Sequence, residues 1–157
     1  MAVINGTNSV DTLTGTSGDD EINALGGNDV IKGSGGADKI DGGSGIDTVD
    51  YSSSTQAINV DIRSGVAQAG RGGDAEGDTL LNIEKVIGSA FNDSFTVTTA
   101  VATFEGGAGD DIYYINANVA SAIIEQADGG NDEMRVSVVT ASQTFMADNI
   151  ERLTFLG

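Results

Sequence analysis

A branched aliphatic residue recurs every nine positions through the first third of the chain, at Leu13, Ile22, Ile31, Ile40 and Val49. Each stands in a short segment with polar or mixed neighbours, such as Thr12-Leu13-Thr14 or Lys39-Ile40-Asp41. The pattern predicts three-residue strands, each turning one side chain inward, where it can bury against its equivalents above and below. One such unit buries almost nothing; a core arises only when units stack, as in a solenoid.

The polar positions keep the same period. From Gly6 the ninths read GTNSVDTLT, GTSGDDEIN, ALGGNDVIK, GSGGADKID and GGSGIDTVD. Aspartate holds position six throughout, at Asp11, Asp20, Asp29, Asp38 and Asp47. Glycine holds position four at Gly18, Gly27, Gly36 and Gly45, with Ser9 out of line. Glycine lets a loop bend tightly and aim its carbonyls inward. Aspartate adds hard oxygen ligands of the kind calcium prefers. A disordered acidic linker would share the composition, but it would not require an aliphatic at fixed spacing in every copy.

Charge strengthens this picture. The 157 residues carry 24 acidic and 7 basic side chains, a formal net charge of −17. Self-repulsion on that scale opposes compaction unless the acids are solvated or bound cations neutralise them. It also excludes nucleic acid and anionic membrane surfaces as partners. Cysteine is absent, so there is no disulfide framework. The longest uncharged run, Ile112 to Ile124, is too short and too polar for membrane insertion. The first residues lack the basic and apolar regions of a signal peptide, so export would use another signal.

From Gly15 to Asp50, and again in GGAGDDIYY at Gly106 to Tyr114, the chain resembles the GGxGxDxUx nonapeptide of the repeats-in-toxin (RTX) family. The resemblance implies an all-β fold, a right-handed parallel β-roll with two nonapeptides per turn. It also implies several calcium ions between loops eighteen residues apart, held by aspartates and loop carbonyls. Carried onto this sequence, the pairs are Asp11 with Asp29, Asp20 with Asp38, and Asp29 with Asp47. Asp29 then lies in the middle of one edge, while Asp20 and Asp38 share a single site on the other. The implied metal-binding loops contain Gly15, Ser17, Gly18, Gly27, Gly33, Gly35, Gly36, Gly42, Gly43 and Gly45. The family's members are secreted bacterial toxins, proteases, lipases, polysaccharide-modifying enzymes and adhesins. They leave through a type I secretion channel, usually unfolded.

The chain divides into a regular roll (6–50), connecting strands with an acidic glycine-rich loop (51–81), and a degenerate continuation (82–157). Ile58, Val60 and Ile62 alternate, which predicts a strand with one buried face. Asp74, Glu76 and Asp78, in the loop from Arg63 to Gly77 and just past it, fit either a further calcium site or a solvated loop. Val86, Phe95, Phe104 and Tyr113 continue position eight with larger, core-filling side chains. In that phase Glu84, Asp93 and Asp111 hold position six and Ala102 breaks it. A calcium is expected between Asp93 and Asp111, with Gly106, Gly107 and Gly109 in the loop.

Later strands flank Asn116 and Asn118, and Met134, Val136 and Val138 alternate. The turn Asp128 to Asp132 leaves Asp132 open as a ligand. Asn149-Ile150-Glu151-Arg152-Leu153 echoes Asn82-Ile83-Glu84-Lys85-Val86, and where the earlier copy leads into a turn the chain stops at Gly157. That arrangement, with apolar Leu153, Phe155 and Leu156 at its edge, suggests the front of a longer array.

Histidine is absent, which removes the Ser-His-Asp arrangement and most metal hydrolases. No phosphate-binding glycine motif is present, and the many aspartates follow the repeat rather than forming a catalytic pair. The reading is therefore a non-enzymatic, calcium-dependent folding and stabilising module of a secreted protein. Other domains of a longer parent chain are possible partners, as is extracellular polysaccharide or a cell surface. An adhesin or carbohydrate-associated module is the alternative, and part of a polysaccharide-modifying or proteolytic enzyme a further one.

Overall fold

The computed structural model describes residues 1–62, 68–97, 102–115, 122–127, 129–137 and 148–156. Asn116, Asn118, Asp128, Val138, Gly157 and the loop segment 63–67 lie outside the described residues. The first six strands are β1 (Val3–Asn5), β2 (Thr12–Thr14), β3 (Glu21–Asn23), β4 (Val30–Lys32), β5 (Lys39–Asp41) and β6 (Thr48–Asp50). The middle holds β7 (Asn59–Ile62), β8 (Gln68–Arg71), a 3-10 turn at Gly73–Ala75, β9 (Thr79–Leu81) and β10 (Lys85–Ile87). The last part holds β11 (Ser94–Val97), β12 (Thr103–Glu105), β13 (Ile112–Ile115), β14 (Ala122–Ile124), β15 (Glu133–Val136) and β16 (Arg152–Phe155).

Among the described residues these strands make two sheets wound as a β-solenoid. One sheet runs β1-β3-β5-β9-β8-β7-β11-β13-β15-β16 and the other β14-β12-β10-β6-β4-β2. In the regular repeats neighbours pair in parallel at a separation of two nonapeptides, as in Ile4 with Ile22 and Leu13 with Ile31. The central residue of each short strand turns inward. Ile22, Ile31 and Val49 are fully buried, as are Val60, Val86, Phe95, Phe104 and Tyr113. The three aromatic rings pack on one another, with Phe95 stacked on Tyr113 at a centroid distance of 5.2 Å. They fill the core, as their spacing predicts.

The connecting region departs from simple winding. After β6 the chain makes β7, turns back as β8, antiparallel to both β7 and β9, and only then rejoins the roll. β9 pairs with β5 (Ile40 with Leu80), while on the other sheet β6 pairs directly with β10 (Val49 with Val86). One sheet thus gains strands that the other lacks. Buried Tyr51, Ile58 and Ala75 belong to this insertion, and Ser54 Oγ accepts from the Asp74 N–H at 3.1 Å to tie its two arms together.

Candidate metal centre

Every nonapeptide loop crosses from one sheet to the other, so position six stands just before a strand. Odd and even copies therefore fall on opposite edges. Each aspartate reaches back one layer: Asp29 Oδ1 accepts from the Asp11 N–H, Asp38 Oδ1 from Asp20, and Asp47 Oδ1 from Asp29, all at 2.8 Å. The same link joins Asp111 Oδ1 to the Asp93 N–H at 2.7 Å. The eighteen-residue stacking of these loops is thus written in carboxylate hydrogen bonds.

Position five carries a second ladder that the repeat pattern treats as variable. Its side chains reach the opposite way: Asp19 Oδ1 accepts from the Ala37 N–H, Asn28 Oδ1 from Ile46, and Asn92 Oδ1 from Asp110. Asx–Asp pairs therefore clamp a layer to both neighbours.

One expectation about stacking needs correction. Asp38 is not the end of its edge, because its N–H donates to Asp78 Oδ1 at 2.8 Å, forty residues on. The detour through β7 and β8 brings Asp78 back into the layer that an uninterrupted repeat would fill. Glu84, nine residues before Asp93, lies on the opposite edge from Asp93 and Asp111, where its Oε2 accepts from the Asp47 N–H at 2.9 Å. The echo of Asn82-Ile83-Glu84 in Asn149-Ile150-Glu151 is structural as well. Both asparagines are left-handed, both isoleucines are buried, and Glu151 Oε2 accepts from the Asp132 N–H at 2.8 Å. In each copy a glutamate, one methylene longer, closes an aspartate ladder.

The second carboxylate oxygen divides the loops into two kinds. In three loops position two is a Thr or Ser outside the left-handed region. The Thr7 N–H and hydroxyl donate to Asp11 Oδ2 at 2.5 and 2.8 Å, and Thr16 does the same to Asp20 Oδ2 at 2.6 and 2.8 Å. Ser89 holds Asp93 through its N–H on Oδ2 at 2.5 Å and its hydroxyl on Oδ1 at 2.8 Å. In four other loops position two is left-handed: Leu25 (φ 74°), Ser34 (68°), Gly43 (88°) and Gly107 (105°). There Oδ2 of Asp29, Asp38, Asp47 and Asp111 is buried without a hydrogen-bond partner. A left-handed residue turns its N–H away, so the aspartate loses its donor.

A bare buried carboxylate oxygen is costly unless a proton or cation meets it. Burial pushes Asp38 and Asp47 up to about 6 and Asp111 up to about 8, with neighbouring acids adding to the shift. Asp20, held first of all by the Thr16 N–H, is lowered instead. Burial likewise raises Asp78 to about 7, although the Tyr51 hydroxyl donates to its Oδ2 at 2.8 Å.

The glycines shape the space around these oxygens. A Cβ on Gly33 would stand 2.5 Å from Asp38 Oδ2, one on Gly42 2.8 Å from Asp47 Oδ2, and one on Gly15 against the Gly33 carbonyl. At position four, Gly27, Gly36, Gly45 and Gly109 have φ between +120° and +145°, and a Cβ there would strike the backbone of the loop one layer below. Gly18 and Gly35 meet nothing at the Cβ position, and Ser17 is exposed at its loop tip. A carboxylate oxygen and a carbonyl of the stacked loop thus converge beside Gly15, Gly42 and Gly88, a donor set that suits calcium. Within the acidic loop, Glu76 Oε2 accepts from the Gly72 N–H at 2.8 Å, and only Asp78 of its three acids joins a ladder.

Residues 5–31, 14–49 and 102–116 match the model of the RTX calcium-binding nonapeptide repeat, in four copies. Repeats of this family bind calcium and occur in secreted bacterial proteins. The comparison with curated proteins gives no match.

Proposed function

We propose that this chain, a carrier of RTX calcium-binding nonapeptide repeats, is a module that calcium folds and stabilises within an exported protein. The bare, buried Oδ2 atoms of Asp29, Asp38 and Asp47 carry this reading. Each short strand buries one side chain in nine residues, too little to offset the entropy of ordering all nine. A metal that binds only the folded chain contributes its binding free energy to stability, and here it would also answer the unpaired oxygens.

In this reading the ions lie between loops of one edge, held by the ladder aspartates and by carbonyls of the glycine-rich loops. Residues 6–50 and 82–157 act as two calcium-dependent parts of the roll, joined through 51–81. Passage through a type I channel as an unfolded chain, followed by folding where calcium is abundant, fits a net charge of −17 that opposes premature compaction.

Circular dichroism with and without a chelator tests the proposal. The β signal should collapse without calcium and return on its addition, while an unchanged spectrum and melting temperature would refute it. Magnesium at equal concentration should restore little, because it demands octahedral geometry and gives up water reluctantly.

A further inference from the structure

We infer that Asp111, Glu125 and Asp132 form a calcium site of their own kind, built from three carboxylates and organised by the Tyr113 hydroxyl. One oxygen from each carboxylate lies within 4.8 Å of the others, and all three residues are buried. Glu125 and Asp132 fall outside the matched repeat segments. The inference rests on the calcium reading of the loops but adds a ligand that the nonapeptide does not contain.

The site follows from one substitution in the stacking pattern. β14 pairs with β12 so that Ile124 stands over Glu105, and the next residues in each strand are Glu125 and Gly106. In an ordinary layer this position is small and offers a carbonyl, as Gly106 does above Gly88. Here a glutamate takes the place, and its carboxylate enters the space that Gly106, lacking a Cβ, leaves open. A Cβ on Gly106 would collide with Asp111 Oδ2, Glu125 Oε1 and the Tyr113 hydroxyl together.

Two unpartnered oxygens point to a ligand independently of the cluster itself. Asp111 is fully buried and Glu125 is 7% exposed, yet Asp111 Oδ2 and Glu125 Oε2 have no hydrogen-bond partner. Their other oxygens are held by protein. Tyr113 donates to Glu125 Oε1, and Asp111 Oδ1 takes the Asp93 N–H. The Asn149 side chain donates to the Glu125 carbonyl at 2.8 Å and fixes the residue at its strand end. Tyr113 is thus a positioning residue, leaving Oε2 free for the ion. Three carboxylates carry more charge than the two available to a site between ordinary loops, and calcium affinity follows ligand charge. This should be the tightest site of the chain.

Calorimetric titration of the full chain with calcium, beside Glu125→Gln, reads the site directly. The expected result is one ion fewer and loss of the highest-affinity phase; unchanged stoichiometry and affinity would overturn the inference. Should Glu125→Gln fail to fold, terbium provides the second readout, excited through tyrosine. Tyr113→Phe keeps the ring in the core and should abolish a component of the emission that Tyr51→Phe retains. Emission unchanged in Tyr113→Phe would mean that no ion lies beside Glu125. A parent chain that takes up no calcium at all would sink the wider reading, and this inference with it. Loss confined to the Glu125 variant separates the two.

Discussion

The backbone N–H of Asp38 donates to Asp78 Oδ1 at 2.8 Å, although forty residues separate them. Asp38 therefore has a ladder neighbour on both sides, Asp20 below and Asp78 above, just as Asp29 lies between Asp11 and Asp47. Asp29→Ala and Asp38→Ala should each weaken the same number of calcium sites in an isothermal titration. A loss of two ions in the first and one in the second would show that Asp78 does not complete the stack.

Position two should govern which loops accept an ion. Thr16→Gly removes the hydroxyl that holds Asp20 Oδ2 and permits the left-handed conformation seen at Gly43. The variant should bind one more calcium than the parent, or bind its existing ions several-fold more tightly. Unchanged binding would mean that Asp20 is no poorer a ligand than Asp38.

The calcium-free fold should strengthen as pH falls. Asp38, Asp47, Asp78 and Asp111 have folded values of about 6 to 8, above their unfolded values, so the folded state binds protons more tightly. The stability that they contribute is fully present below about 4 and is lost as pH rises through 6 to 8. Glu133 acts oppositely: hydrogen bonds from Arg135 and Thr154 hold it at about 2, and its contribution fades as pH falls from 4.5. The β signal that survives in chelator should therefore be greatest near pH 4 to 5 and smallest near pH 8. A β signal in chelator that grows from pH 5 to pH 8 would contradict the burial of these carboxylates.

Ile31 is fully buried and pairs with Leu13 below and Val49 above. Ile31→Val should cost about 0.5–1.5 kcal/mol, the usual range for removing one buried methylene. Ile31→Asp places an unpaired charge in the same column and should abolish the first roll even in saturating calcium. Denaturant unfolding measures the first and circular dichroism the second. A normally folded Ile31→Asp would show that the column is not dry.

The nine-residue rhythm determined the short strands, their single inward residue, the parallel stacking at eighteen and the calcium chemistry, because all of these are local and recur in register. Even the aromatic core of Phe95, Phe104 and Tyr113 was legible as a continuation of Val86 at the same spacing. Only the tertiary structure decided how Asp78 and Glu84 join the ladders, since a return across the β7–β8 detour depends on pairing between distant strands. It likewise decided which aspartates keep a bare oxygen. The letters Thr16 and Gly43 are plain in the sequence, but their opposite effects come from where each backbone N–H points once the loop has closed. Glu125 was least legible of all. It obeys no repeat position, and it becomes a ligand only because β14 lays it over the one residue type that leaves it room, the glycine at 106.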